Sequence, residues 1–131
     1  MRKDIEIPEV KNVFVAVVKE EHLEYKTKDW NVYIINDSDD DLDTVLIVSK
    51  GYSDKNITPP MRHTLKMLPS RSYAKIEYLQ EAVLGLNNEF KVTFFKGNQM
   101  FDKTYLFRKN TINQNALQTI PLMHLKGVLI K

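Results

Sequence analysis

Cysteine is absent from the 131-residue chain. Disulfide bonds, thiolate zinc sites and cysteine nucleophiles are therefore excluded. A chain without cysteine fits a reducing compartment. Residues 1–6 also lack the long apolar stretch that a secretory signal carries behind its charges. We therefore expect a cytoplasmic protein.

Long apolar runs are absent as well. The longest, residues 13–18, is far too short to cross a bilayer as a helix, so we expect no membrane association. The only glycines are Gly51, Gly85, Gly97 and Gly127, and no two are close together. Phosphate-binding loops, dinucleotide fingerprints and the Gly-x-Ser-x-Gly nucleophile motif are consequently missing. The sequence predicts no cofactor and disfavours catalysis.

Histidine spacing gives no sign of a metal site. His22, His63 and His124 are isolated, with no His-x-His or His-Glu-x-x-His pattern. A metal site would therefore have to be assembled entirely by the fold. Each histidine is expected to be an ordinary surface or half-buried residue.

One acidic run offers alternate oxygen donors at Asp37, Asp39 and Asp41, which suit a hard cation such as calcium. An EF-hand loop would next require glycine and then glutamate where the chain has Leu42 and Val48. A solvated turn between two strands explains the run more simply. The three aspartates are therefore weak metal candidates only, and no metal site is predicted.

The net charge of +2 conceals an asymmetry along the chain. Residues 1–43 carry 6 Lys and Arg against 12 Asp and Glu, whereas residues 44–131 carry 13 against 5. Such a dipolar molecule could steer an anionic partner. Because the strands of a sandwich pair non-locally, we expect the two sets of charges to mix on one surface instead.

Strand patterns dominate the rest of the sequence. Short β-branched or alternating segments are separated by turn residues, without repeats, linkers or low-complexity tracts. Residues 13–18 are apolar on both faces, which predicts a central or doubly covered strand. The seven predicted strands are residues 10–20, 30–35, 44–49, 61–67, 72–79, 90–95 and 100–107.

The sixth and seventh predicted strands form the clearest hairpin. Gly97 begins a Gly-Asn pair that supplies the positive φ of a two-residue turn. The resulting register places Phe94 opposite Phe101 and Phe90 opposite Tyr105 on one face of the ribbon. We expect these rings to seal one side of a sheet.

Together these signals predict one all-β domain over residues 1–131. We expect an antiparallel immunoglobulin-like β-sandwich of about seven strands, since the rhythm of strands and turns resembles that of immunoglobulin-like modules. Helix signals are limited to single turns near residues 80–85 and 114–118. The apolar tail is expected to dock as an edge strand whose residues 128–130 are candidates for pairing with another chain.

A further resemblance is carried by short motifs spread over nearly the whole chain. They are Ser49-Lys50-Gly51-Tyr52, Met61-Arg62-His63, Leu86-Asn87-Asn88-Glu89-Phe90, Asp102-Lys103 and Phe107-Arg108-Lys109-Asn110-Thr111-Ile112. In these motifs the chain resembles a family of small uncharacterised bacteroidete proteins that are often labelled automatically as phenylalanyl-tRNA synthetase alpha subunits. The catalytic domain of such a synthetase has a large sheet, flanking helices and a glycine-rich ATP motif, which this short chain lacks. The label therefore implies an accessory role.

Basic residues interleaved with aromatics are the candidates for contact with a partner. Alternation places most rings on the buried side of their strands, so the lysines are expected on the solvated face. An indole at the start of a strand usually anchors the core and otherwise marks a contact surface. The candidate interaction residues are Trp30, Arg62, His63, Lys103, Arg108 and Lys109.

The sequence favours a non-catalytic module that binds a protein partner by a sheet edge or by loops, with a homodimer as one form of this. The alternative is an accessory protein that binds RNA or tRNA through the last hairpin, although a pI near 8.7 does not favour nucleic acid. A small enzyme is the third hypothesis. It would require an apolar-lined pocket that holds two polar side chains.

Overall fold

The computed structural model describes residues 8–22 and 24–131, so the expectation about residues 1–6 lies outside the described residues. This part of the chain forms nine β-strands and two short 3-10 helices. The strands are β1 (Val13–Glu21), β2 (Lys28–Asn36), β3 (Leu42–Tyr52), β4 (Met61–Leu68), β5 (Ser72–Leu79), β6 (Asn87–Lys96), β7 (Gln99–Phe107), β8 (Gln118–Thr119) and β9 (Lys126–Ile130).

The strands form a sandwich of two antiparallel sheets, as the sequence predicts. One sheet has the order β5-β2-β1-β9-β8 and the other has the order β4-β3-β6-β7. The chain passes from one sheet to the other after β2, β4, β5 and β7. Charges from the two halves of the sequence therefore meet. Arg71, for example, binds Asp37, and Lys96 lies 3.4 Å from Asp40.

Strand β1 is covered on both faces. Its side chains Val13, Val15 and Val17 enter the core between the sheets. On the other face, Ala16 and Val18 are buried in a second apolar cluster that includes Ile120 and Met123 from the segment after β8. Full burial of a valine is worth about 1.5–3 kcal/mol relative to exposure. The continuous apolar run thus gives the central strand that it predicts.

The hairpin of β6 and β7 is confirmed in turn, register and burial. Gly97 has φ +59°, and Phe94 faces Phe101 while Phe90 faces Tyr105. The rings of Phe94 and Phe101 stack with centroids 5.0 Å apart, and all four aromatic side chains are buried. The aromatic row therefore seals the inner face of the four-stranded sheet.

Strands β8 and β9 are additional to the predicted seven. The expectation that the tail forms an edge strand was wrong, because β9 lies between β1 and β8 and pairs Val128 with Val17. The close approach depends on Gly127, where a Cβ would lie only 2.6 Å from the carbonyl oxygen of Val17. One edge of residues 128–130 therefore pairs with β1 and is not available to a second chain.

The two predicted helical turns are confirmed as the 3-10 helices Glu81–Val83 and Gln114–Ala116. Within the described residues, no helix is long and apolar enough to cross a membrane.

Candidate functional site

A β-bulge on β5 places a carboxylate between the two sheets. Tyr33 of β2 pairs with Lys75, but the preceding residue, Val32, pairs with Glu77, so that Ile76 is an extra residue on β5. A bulge of this kind reverses the alternation of side chains beyond it. Glu77 consequently points toward the core, as its partner Val32 does. Without the bulge, the side chain after the inward-facing Ile76 would point outward.

The Glu77 carboxylate joins the two sheets. Its Oε1 accepts hydrogen bonds from Ser49 Oγ of β3 at 2.7 Å and from His63 Nε2 of β4 at 2.8 Å. The Glu77 side chain is only 10% exposed and that of His63 is 21% exposed. Hydrogen bonds to an ionised carboxylate are about twice as strong as those between neutral groups.

A cavity of about 400 Å³ opens beside this carboxylate, between the edge strands β4 and β5. Ser49, Glu77 and Asn88 contribute polar groups to its wall. The other lining residues are Lys50, Gly51, Thr58, Pro59, Met61, Tyr78, Leu79, Gln80, Val83 and Phe90. The cavity therefore combines an apolar surface with a few convergent polar groups, the composition that is typical of binding sites.

Two acceptor atoms at the cavity receive no hydrogen bond within the described residues. Glu77 uses only Oε1, and Asn88 uses its amide Nδ2 to donate to the carbonyls of Val83 and Leu86. No fully buried side-chain oxygen or nitrogen of the described residues lacks a partner. Glu77 Oε2 and Asn88 Oδ1 are consequently accessible, and they can accept hydrogen bonds from a bound group.

The arrangement of Ser49, His63 and Glu77 differs from that of a nucleophile activated by histidine. Such a site needs a hydrogen bond from the serine hydroxyl to the imidazole. Here both groups bind the same carboxylate oxygen, and no hydrogen bond joins them to each other. The cluster holds the carboxylate in place and suits recognition of a hydrogen-bond donor.

The acidic turn between β2 and β3 binds the turn between β4 and β5. Arg71 donates to Oδ1 of Asp37 at 2.8 Å and to Oδ1 of Asp39 at 2.6 Å. Asp41 accepts from the backbone N–H of Ser70 at 2.9 Å. The hydrogen bonds to Asp39 and then to Asp37 raise the pKa of Arg71. The three weak metal candidates are thus engaged in joining two turns.

Buried Asn36 fixes the same junction. Its Nδ2 donates to the carbonyls of Asp40, Leu68 and Pro69, and its Oδ1 accepts from the backbone and hydroxyl of Ser38. Among the described residues, no group of three or more histidine, aspartate or glutamate side chains is arranged to hold a metal.

The candidate interaction residues do not form one surface. Trp30 is buried in the core, and Lys19 lies over its ring at 5.4 Å. Arg62 and His63 lie on β4, at one edge of the four-stranded sheet, whereas Lys103 lies on β7 at the opposite edge.

Arg108 and Lys109 follow β7 and are exposed. Two strands separate these basic residues and Lys103 from Arg62. A nucleic acid on the last hairpin would therefore contact only part of the predicted set. Of these candidates, His63 contacts a residue that lines the cavity, through its hydrogen bond to Glu77.

A second, open hollow lies at the ends of β1 and β2, on the outer face of the five-stranded sheet. Glu20 Oε1 accepts from Asn31 Nδ2 at 2.9 Å and from Tyr33 Oη at 2.7 Å. Burial, and then the hydrogen bond to Glu20, raise the pKa of Tyr33 above its usual value. These polar groups satisfy one another, so we regard the hollow as a structural junction.

Comparison with protein-family models, curated proteins and solved structures finds no match to this chain. The resemblance to the bacteroidete family therefore stays a prediction.

Proposed function

We propose that the chain is a non-catalytic interaction module of the cytoplasm that binds an extended segment of a partner protein along the free edge of β4. The exposure of this strand carries the proposal, since five of its eight side chains are exposed. Within the described residues β4 pairs only with β3. The other edge of the strand offers N–H and C=O groups to which a second strand can be added.

The remaining sheet edges are less suitable for strand addition. β5 carries the bulge at Ile76, and β8 has only two residues. β7 turns the charge of Lys103 toward the inner face, opposite the buried Val92. Bulges, short strands, inward charges and charged side chains along the strand are among the devices by which proteins protect sheet edges.

β4 carries fewer of these devices. The pairing of β4 with β3 shows no register shift from Leu42 opposite Leu68 to Ser49 opposite Met61. Over residues 62–66 the basic side chains of β4, Arg62 and Lys66, alternate with His63 and Leu65, which are partly buried, and beyond this point Met67 is exposed and Leu68 is buried in the core. An added segment along the whole strand would be about 26 Å long, at about 3.3 Å per residue. Its inward side chains would lie beside the cavity.

We also infer that the sandwich is immunoglobulin-like. The first, second and fifth strands lie in one sheet and the third, sixth and seventh in the other, which is the distribution of that fold. The fourth strand joins the second sheet here, and this position gives the module its exposed edge beside the cavity.

Peptides selected from a random display library on the immobilised protein would test strand addition. We expect a selected peptide to protect alternate backbone amides of β4 from hydrogen exchange, namely those that do not face β3, as measured by NMR. Changes confined to β7, β8 or the loops, or failure to select any peptide, would contradict the proposal.

A pair of exposed methionines provides matched variants. Met67→Lys adds a charge to β4 and is expected to weaken binding of the selected peptide, whereas Met100→Lys adds the same charge to β7 and is expected to leave it unchanged. The two side chains are 49% and 45% exposed in the free protein, so neither change disturbs the core.

Self-association through the same edge is tested by light scattering. A mass of two chains, together with protection of the same β4 amides at high protein concentration, would identify the partner segment as β4 of a second copy. A monomeric mass would leave a different protein as the partner.

A further inference from the structure

We propose that the cavity beside Glu77 binds the side chain of a lysine carried by the extended segment on β4. This inference rests on the proposed function and names the chemistry of the partner. It begins from the nearly buried Glu77 side chain, whose Oε2 has no hydrogen-bond donor among the described residues.

The accessible polar atoms of the cavity wall are suited to a ligand that donates hydrogen bonds. Glu77 Oε2 and Asn88 Oδ1 are both acceptors, and both residues line the cavity. The hydroxyl of Ser49 already donates to Glu77 Oε1. A group that brings hydrogen-bond donors and a positive charge suits acceptors of this kind.

The apolar part of the wall suits the stem of a long side chain. Met61, Leu79 and Phe90 line the cavity together with Pro59 and Val83. Lysine buries its methylene groups along apolar surfaces while its ammonium group reaches a polar partner. A cavity of about 400 Å³ has room for such a side chain.

The occupied oxygen of Glu77 favours lysine over arginine. A guanidinium group binds a carboxylate best through two parallel hydrogen bonds, one to each oxygen. Oε1 already accepts from both Ser49 and His63. A single free oxygen fits an ammonium group, which acts as a compact point charge.

The neighbouring cation does not compete for the carboxylate. Lys50 also lines the cavity, but its Nζ lies 3.8 Å from Glu89 Oε2 and 5.7 Å from the centre of the Tyr52 ring. Lys50 and Glu89 face each other across β3 and β6. Among the described residues, Lys50 therefore does not occupy the Oε2 atom of Glu77, while His63 contacts only Oε1.

Three synthetic peptides test the inference by calorimetry. They share an alternating Thr-Val sequence long enough to cover β4, with lysine, arginine or norleucine at the central inward position. We expect the lysine peptide to bind the wild-type protein about tenfold or more tightly than the norleucine peptide, since a charge-assisted hydrogen bond is worth at least this factor. The arginine peptide is expected to bind less tightly than the lysine peptide.

Variants of the protein locate the effect. Glu77→Gln is expected to remove the preference for lysine, whereas Glu81→Gln, which removes the same charge from the exposed neighbouring turn, is expected to retain it. Amide NMR spectra verify that each variant is folded. If Glu77→Gln does not fold, Val83→Phe fills the cavity and keeps the carboxylate, and it is expected to abolish the same preference.

The outcomes separate the two proposals. Equal binding of the lysine and norleucine peptides, with protection of β4 amides in both complexes, would overturn the lysine inference and retain strand addition. Binding without protection of β4 would overturn strand addition, and the lysine inference with it. Free n-butylamine that binds as tightly as the lysine peptide would show a small-amine site and overturn the peptide assignment.

Discussion

At the scale of single residues, the two sheets are joined by polar contacts on opposite sides of the sandwich, one of them partly buried and the other fully buried. Glu77 forms one such contact from β5 to β3 and β4. Tyr105 of β7 forms another, because its hydroxyl donates to the carbonyl oxygen of Val13 on β1 at 2.6 Å. If one partner of either contact is removed, the other is left without a hydrogen bond, which lowers the stability of the folded state.

Tyr105 gives a prediction on alkaline stability. Burial raises the pKa of Tyr105 above its ordinary value. In the unfolded chain the phenol ionises near pH 10, while in the folded chain it stays neutral. Its contribution to stability is therefore fully present below about pH 10 and is lost as the pH rises through the folded pKa.

We expect Tyr105→Phe to lower the free energy of unfolding by about 1–2 kcal/mol at neutral pH, because Val13 loses its donor. Above pH 10 the difference from wild type should narrow, as measured by urea unfolding at several pH values. Tyr25→Phe, at a side chain that is 72% exposed, is the control and should follow the wild-type curve. If the difference in free energy of unfolding between Tyr105→Phe and the wild type were the same at all pH values, the loss of stability at high pH could not be assigned to Tyr105.

At the scale of elements, β9 shows how one residue decides which strands become neighbours. A Cβ at Gly127 would lie 2.6 Å from Val17 O, which is backbone and cannot move aside. Gly127→Ala is expected to separate β9 from β1 locally and to lower the free energy of unfolding by about 1–3 kcal/mol, as other overpacked sites do. Gly85→Ala should cost far less, since the nearest atom would be 3.8 Å away. Chemical denaturation of both variants measures the difference, and equal effects would argue against the close approach.

The elements that sequence reasoning predicted are those with local signals. Residues 72–79 were predicted as a strand and form β5 with these bounds, and the turn at Gly97 fixed the register of the hairpin. The bulge was missed, although Ala74, Ile76 and Leu79 break the two-residue period of apolar side chains. A break of this kind signals that the strand face changes.

The candidate site itself could not be predicted from the sequence. Ser49, His63 and Glu77 are separated by 14 residues at each step and meet only because β4 and β5 lie at the edges of different sheets. The spacing of these three residues matches no sequence motif, so the sequence predicts His63 only as one of several contact residues. Long-range assembly of this kind depends on topology, which single-sequence patterns do not determine.

At the scale of the whole molecule, the interleaved connections predict cooperative unfolding. Because the chain changes sheet after β2, β4, β5 and β7, neither sheet can form alone from a continuous segment. We expect a single transition in urea, with the same midpoint for Trp30 fluorescence and for the amide signals of β6 and β7. Trp30 is the single tryptophan, so its signal reports on the five-stranded sheet. Two separate midpoints would show that the sheets unfold independently.

The position of β9 beside β1 also constrains the order of events during translation. The hairpin of β6 and β7 can form as soon as residues 87–107 leave the ribosome, whereas β1 has no neighbour on one side until residues 126–130 are made. A stalled or prematurely ended chain would expose the bare side of its most apolar strand. Such nascent fragments are expected to be prone to aggregation and to capture by chaperones.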